Sequence, residues 1–581
     1  MSNRWTISSL AVLVAAITTA CGSSSSGGDT TPPPAAVATV TVTVARPSII
    51  TGQSTTATAV LRDAGTNVLV GRAIIWSSSA PAVATVSAGG AVTAVAVGSA
   101  NIIATSEGQS GLAPVTVTLA AVATVVPSVQ SPLLVGGTAQ AQASVLDSSG
   151  HALTGRTVTW STSNSAVATV SASGVVTGVG RGSTTINSTC EGVTGRKYVK
   201  VFVQGTTATQ LVAVSALDQV GPPSTDVVQA PAVMAVAANG DPVPGIPVTF
   251  AVTAGGGAII GGTATTDFTG VARSGRWTFG TVGAQTVHAT SSSVAGAAVD
   301  FAGLARPAAD NFDITLQFTS SMSDAQARAF VHAKNRIEQM IVGDIPSQLL
   351  SLTSGEMANC GGVAVSGVID DVLILAEGAP IDGVNNILGQ AGPCFIRLTG
   401  LPFPVVGHMM FDTADLDAME IAGQLENVIL HEMLHVVGFG TLWQALTLLT
   451  GPGTSDPYFT GANARTALAT QNGGAFYVGN KVPVENLYGA GTRDSHWRES
   501  VFNHELMTGI IDSGVNPLSA TTIGSLQDLG YSVDYAAADP FDLSTAVRAA
   551  GLAAEGDALF LGNDTRTDPP LYVGPDGRPV P

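Results

Sequence analysis

The run His431-Glu432-Met433-Leu434-His435 sets two imidazoles four residues apart, with a carboxylate directly after the first. It sits in a helix-forming stretch, Gln424 to Val437, that ends at Gly438. At 100° per residue, positions four apart return to nearly one helix face, about 6 Å further along. Two imidazoles so placed can bind one Zn²⁺ ion from the same side. Glu432 projects beside them, where it can take the proton of a water that the metal acidifies. The competing reading is a solvated helix face with two incidental histidines. Val428, Ile429, Leu430, Leu434, Val436 and Val437 weigh against it: they mark a buried helix, in which unpaired His and Glu side chains would be costly.

Zinc needs a third protein ligand, and the chain has eight histidines. His151 and His288 fall in β-rich sequence, His332 on an early helical stretch, and His408 just before Met409-Met410-Phe411-Asp412. His496 and His504 remain downstream, with Glu485 and Glu499 as carboxylate alternatives. The HExxH run resembles the general metzincin pattern, which continues past the second His as x-x-G-x-x-H. Gly438 stands at the glycine, where it lets the chain leave the helix in a left-handed turn, but Thr441 stands at the ligand position. Asp494-Ser495-His496-Trp497, followed by Glu505-Leu506-Met507, resembles the leishmanolysin family. There an insertion separates the helix from the third His, and an E-L-M segment forms a Met-turn under the metal. The resemblance covers roughly residues 310–535, with Leu526-Gln527-Asp528-Leu529-Gly530-Tyr531 similar to the family's closing helix. It implies a zinc endopeptidase that cleaves protein or peptide substrates. By it His496 is the third ligand, Met507 the Met-turn residue and Gly438 the turn glycine. His504, immediately before Glu505, competes with His496.

The elements that must carry these residues are mixed. Phe312, Ile314, Leu316 and Phe318 alternate as in a half-buried strand. Asp324 to Val342 is expected to be a helix capped by Ser323 or Asp324, and Asp371 to Leu375 a strand. Strands mixed with long helices predict an α+β domain over 308–540. Asp412, Asp415 and Asp417 have the oxygen chemistry for Ca²⁺, though such a cluster more often caps the next helix. Cys360 and Cys394 share this region and are the expected disulfide pair.

Upstream the texture is different. Gly71-Arg72 leading to Trp76 recurs as Gly155-Arg156 leading to Trp160, and Val83-Ala84-Thr85-Val86-Ser87 as Val167-Ala168-Thr169-Val170-Ser171, every pair offset by 84. A gap-free period indicates two copies of one domain. The copies, 37–119 and 120–205, are rich in Val, Thr and Ala in short alternating runs, as in β-sandwiches. Their VATVS…GxVTxVxxGS pattern resembles bacterial Ig-like domains of group 2. A third β-rich stretch, 206–305, is similar to the group 1 domains of invasin-type surface proteins. Ser106 in the first copy stands where the second has Cys190, so the fold does not require a thiol there.

The chain of 581 residues has a net charge of -18 and only 11% charged residues. That argues against nucleic-acid binding, which needs basic patches to displace counterions from phosphates. Arg4, the apolar run Leu10 to Ile17 and Thr18-Thr19-Ala20-Cys21 resemble a lipoprotein export signal. The resemblance implies a signal over 1–20, lipidation at Cys21 and a membrane anchor, or otherwise plain secretion. Residues 21–36 then read as a Ser/Gly/Pro-rich stalk, and 541–581 are set apart as a C-terminal tail. The expected architecture is multidomain: three Ig-like β-sandwiches, able to hold a surface or polymer ligand, before an α+β metzincin-type domain. The alternative function is a surface adhesin whose peptidase-like domain is a scaffold.

Overall fold

The computed structural model describes residues 35–294, 296, 298–307, 311–381, 387–489, 491–512, 514–543, 559–566 and 568–580. The expected signal, Cys21 and nearly all of the expected stalk lie outside the described residues. The chain divides into two compact units, one ending at Ala120 and the other starting at Ala121.

The first unit is a β-sandwich. One sheet contains Thr39–Val44, Ser54–Arg62, Ala91–Ala94 and Ala84–Val86; the other contains Ser48–Ile50, Gln109–Thr118, Gly98–Ser106 and Ile75–Ser78. Alternation makes the core: in Gly98–Ser106 the residues Ala100, Ile102 and Ala104 are buried, and Ala100 and Ile102 cluster with Val115 of the neighbouring strand and with Ala57 and Val92 from the facing sheet. The second unit begins with the repeat of this sandwich. Its strands Thr159–Thr162, Gly182–Cys190 and Val193–Phe202 lie 84 residues beyond their counterparts. Ser106 is buried and donates to the Ala73 carbonyl, whereas Cys190 is a buried free thiol, so this inward position accepts either small side chain.

A third sandwich spans the strands from Gln210–Ala213 to Val299–Ala305 around Trp277, Phe279, Phe250 and Phe301. It is joined to the following domain by polar contacts. Asn335 Nδ2 donates to the Asp218 carbonyl (3.0 Å), Lys334 Nζ to the Val220 carbonyl (3.1 Å), and Arg306 pairs with Glu338 (3.3 Å). The second sandwich meets the same domain through the Lys197–Asp417 ion pair.

The C-terminal domain is a twisted mixed sheet with helices. In chain order its main elements are β1 (Ile314–Phe318), α1 (Asp324–Met340), β2 (Val372–Ala379), β3 (Gly389–Arg397), β4 (Pro404–Asp412), α2 (Thr413–Ala422), α3 (Leu425–Val436), α4 (Ala462–Gln471), α5 (Ala520–Asp528), β5 (Leu571–Val573) and β6 (Pro579–Val580). The sheet order is β1-β2-β4-β3-β5-β6. β1, β2 and β4 are parallel, and β3 runs antiparallel to β4. Strand β2 is buried on both faces: Val372, Ile374 and Ala376 point to the core under α1 and α3, Leu373 and Leu375 to a second core with Val405, Phe395 and the Cys360–Cys394 disulfide.

Ser323 starts α1 in a capping box with Gln326. The helix stops two residues before the expected Val342, because Ile341 turns extended and bridges Val533. The sequence sets 541–581 apart as a tail. Its described part is instead built into this domain, since β5 pairs with β3 in parallel and β6 with β5.

Candidate metal centre

Helix α3 is pressed onto β3 and β4 by Val428, Ile429, Met433 and Val436, all fully buried. That packing turns His431, Glu432 and His435 inward, each with no exposed surface. At the end of α3 the chain reverses at Gly438 (φ +106°), where a β-carbon would fall 2.9 Å from Leu442 Cδ1. Two residues on, Gly440 (φ +73°) leaves no room for a side chain, because a β-carbon there would lie 2.2 Å from the Ser495 carbonyl oxygen. This approach brings the turn before His496 against the end of α3. Trp497 then packs among Phe439, Trp443, Phe459 and Phe502, with ring centroids 4.9–5.7 Å away, and donates its indole N–H to Thr522 Oγ1 (2.8 Å). The aromatic box locks the 61-residue excursion between His435 and His496.

The three imidazoles converge. The Nε2 atoms of His431, His435 and His496 lie 2.9–3.0 Å from one another. Every Nδ1 faces a main-chain carbonyl: His431 that of Leu506 (2.7 Å), His435 that of Phe439 (2.9 Å), His496 that of Thr492 (2.8 Å). A carbonyl oxygen only accepts, so each Nδ1 carries the proton and each Nε2 presents a lone pair. Three lone pairs facing one another have no proton to share and repel unless a cation sits among them. The donor set fits zinc: three neutral imidazoles whose other nitrogen is oriented by an outer partner.

A fourth group enters this centre. The Asp564 carboxylate, 1% exposed, places Oδ2 at 2.9 Å from His496 Nε2, 3.3 Å from His431 Nε2 and 3.9 Å from His435 Nε2. The six edges of this tetrahedron, 2.9–3.9 Å, bracket the roughly 3.3 Å expected for ligands about 2.0–2.1 Å from a tetrahedral zinc. Glu432 is fully buried beside it, and among the described residues neither carboxylate oxygen has a hydrogen-bond partner. Burial and the nearby Asp564 charge push the Glu432 carboxyl well above its usual range. Burial lowers His431 and, further, His435. At His496 burial acts the same way, but the Asp564 carboxylate outweighs it and the net direction is up.

Met507 is fully buried, and its neighbour Leu506 supplies the carbonyl that holds His431. Glu505 fixes this segment: one carboxylate oxygen accepts from Met507 N (2.6 Å), the other from Ser519 N (3.0 Å) and Thr522 Oγ1, tying the turn to the start of α5. His504 does not reach the centre; its ring lies against Phe541. Glu485 turns away, accepting from Asn486, Leu487 and Glu499 main-chain N–H groups, and Glu499 starts a short helix. His408, on β4, pairs with Glu377 at 3.0 Å. The calcium expectation is corrected. Among the described residues Asp412, Asp415 and Asp417 form no metal-sized cluster: Asp412 caps α2 through Ala414 N (2.7 Å), and Asp417 faces Lys197.

Sequence reasoning passed over Asp564, Thr492, Glu505 and Gly440. Only Glu505 carried a signal, as part of the E-L-M segment; the others act through contacts with no local pattern.

The family model described as leishmanolysin matches residues 358–547, and that of the bacterial Ig-like domain (group 2) matches 36–117 and 121–201. The chain thus carries a leishmanolysin domain preceded by two such Ig-like domains. No curated protein matches it. Among solved structures it is similar to invasin, a bacterial integrin-binding protein, at 15% identity (50% of this chain, 69% of that chain, TM-score 0.25). It is also similar to the Escherichia coli adhesin FdeC at 20% identity (47% and 98%, TM-score 0.20), and to domains 1–6 of the surface layer protein SbsC at 15% (47% and 41%, TM-score 0.21). The chain thus spans less than half of that SbsC structure.

Proposed function

We propose, from the premise that residues 358–547 form a leishmanolysin domain, that this protein is a zinc-dependent endopeptidase carried on Ig-like modules. The observation that carries the reading is the convergence of three Nε2 lone pairs, each imidazole fixed through Nδ1, beside a buried carboxylate with no partner of its own. His431, His435 and His496 are the proposed ligands. A zinc ion held there supplies Lewis acidity, lowering the pKa of a water to about 7 and polarising a peptide carbonyl.

The chain's own residues do the rest. Glu432 accepts the proton of the attacking water on a carboxylate oxygen and returns it to the leaving amine. The carbonyls of Leu506, Phe439 and Thr492 hold the imidazoles in one tautomer and orientation. Met507 fills the floor, and Glu505 keeps that floor in place. Export to the cell envelope, through a lipid on Cys21 or by secretion, and display on the modules complete the reading.

The test is zinc content together with casein or gelatin cleavage, in the wild type and in Glu432→Ala. One zinc per chain is expected in both, with cleavage lower by about 10²–10⁴-fold in the variant and abolished by a chelator. A wild-type chain that takes up no zinc would overturn the reading and leave the adhesin alternative.

A further inference from the structure

Asp564 lies beyond the segment that matches the leishmanolysin model, yet it supplies the fourth corner of the metal centre. Catalytic zinc sites keep one corner open, whereas closed four-ligand sites are inert. Here the corner is filled by the chain itself. From these facts, and resting on the metallopeptidase reading above, we propose that the strap 559–566 is an intramolecular plug: its Asp564 carboxylate is the fourth zinc ligand of a latent enzyme, and an extended polypeptide displaces it.

The strap is held along its whole length, by groups from two walls that flank it. Leu559–Phe560 pairs antiparallel with Ile510–Ile511, just past the Met-turn, and Leu561 N donates to the Gly509 carbonyl. Thr492 joins ligand and plug: its carbonyl accepts from His496 Nδ1, and its hydroxyl donates to the Leu561 carbonyl (2.8 Å). On the other wall, Ala391 of β3 donates to the Asp564 carbonyl (2.8 Å) and accepts from Arg566 N (3.0 Å). The bridge between Ala391 and Thr565 is parallel. Further along, β5 covers Phe395–Arg397 of the same strand. Main-chain groups of β3 that a substrate could use beside the zinc are therefore taken by the strap.

Arg566 anchors the end of the plug. It donates to His408 Nδ1 (3.2 Å) and to the Asn359 carbonyl, while His408 Nε2 donates to Glu377 Oε1 (3.0 Å). These groups lie on β2, β4 and the segment before β2, not among the zinc ligands. Two features mark the closure as reversible rather than structural. Glu432 keeps a buried carboxylate with neither oxygen bonded, a group that a permanently closed site does not need. Asp564 also offers one monodentate carboxylate on a strap fastened by exchangeable hydrogen bonds. A tethered ligand competes at an effective concentration on the order of millimolar, so a dilute substrate cannot displace it unaided.

The test uses the full chain loaded with Co²⁺, whose visible absorption reports the ligand set without turnover, and acetohydroxamate as the competing ligand. Wild type, Asp564→Ala, Asp564→Asn and Arg566→Ala are compared. Each should bind one Co²⁺. The wild-type spectrum should resist acetohydroxamate concentrations that shift both Asp564 variants, with apparent affinity at least about tenfold tighter in them. Arg566→Ala, which keeps the carboxylate, should fall between. Casein cleavage should rise in the same order. Equal acetohydroxamate affinity in wild type and variants, with one Co²⁺ in each, overturns the plug and leaves the metal centre standing. Loss of Co²⁺ from the Asp564 variants alone makes Asp564 a permanent structural ligand, which also overturns it. Absence of Co²⁺ from the wild type removes the metallopeptidase reading itself. Folding of each variant is checked by circular dichroism, and an unfolded Asp564→Ala leaves the decision to Asp564→Asn and Arg566→Ala.

Discussion

Gly407, on β4, lies directly beneath Val436, the residue after the second HExxH histidine. A β-carbon at Gly407 would fall 2.1 Å from Val436 Cγ1 and 3.3 Å from its Cβ and Cγ2. Ordinary carbon contacts are about 3.5–4.0 Å, so Gly407→Ala forces the Cγ1 atom, or α3 with it, away by roughly 1.5 Å. Val436 has no exposed surface and nowhere to swing. The substitution should therefore cost about 3 kcal/mol, the upper end of overpacking penalties. Because His431 and His435 ride on α3 while His496 does not, zinc affinity should fall with it, by about 10–100-fold. Val436→Ala alone opens a small cavity and should cost about 2 kcal/mol. In the double variant the clash is gone: the nearest approach becomes the 3.3 Å contact to the residue's β-carbon, and the added methyl fills part of the cavity. The double variant should then be about as stable as Val436→Ala, a favourable coupling of about 3 kcal/mol. The assay is urea unfolding of the four proteins with chelator present, read from the transition that carries Trp443 and Trp497 emission, with zinc affinity measured by competition. Costs that add to within about 0.5 kcal/mol would refute the reasoning, since the glycine would then not be there for the helix.

Chelation should lower the melting temperature of the C-terminal domain, because four converging acceptors lose their cation. Zinc at 100 times its dissociation constant would restore about 2.7 kcal/mol, or about 5–11 °C at about 2–4 °C per kcal/mol for a domain of this size, and scans that superimpose with and without zinc would count against the centre. Glu499 is pushed up to about 7, first by burial and then by the Asp512 and Glu485 charges, against the Thr508 hydroxyl. Its folded form therefore holds a proton that the unfolded form has lost between about pH 4.5 and 7, so stability falls as pH rises through that window and the penalty is complete above it. Glu499→Gln should gain on the order of 1–2 kcal/mol at pH 8, after allowance for solvent screening, and flatten that slope; an unchanged slope would show that the carboxylate is not the group responsible.

Much of the site could be read along the chain because its signals are local. The i, i+4 spacing of His431 and His435, the intervening Glu432 and the apolar face around them are properties of one helix, and α3 is that helix. Gly438 sits where a positive φ is needed, and the structure has one there. The 84-residue period returns as the spacing of the sandwich strands. His496 and Met507 were reachable only through resemblance, since nothing in their own surroundings says that they lie beside His431. Composition and periodicity say nothing of Asp564. It stands between Asn563 and Thr565, 68 residues past His496, with no spacing that marks a ligand. Its place depends on β3 having a free flank, on Thr492 and Gly509 reaching the strap, and on Arg566 finding His408, contacts between residues far apart in sequence. Local pattern can announce two imidazoles on one helix face. Which group closes the fourth corner is settled by the packing of distant segments, because a ligand set is defined by convergence in space and a chain can bring any residue to that point.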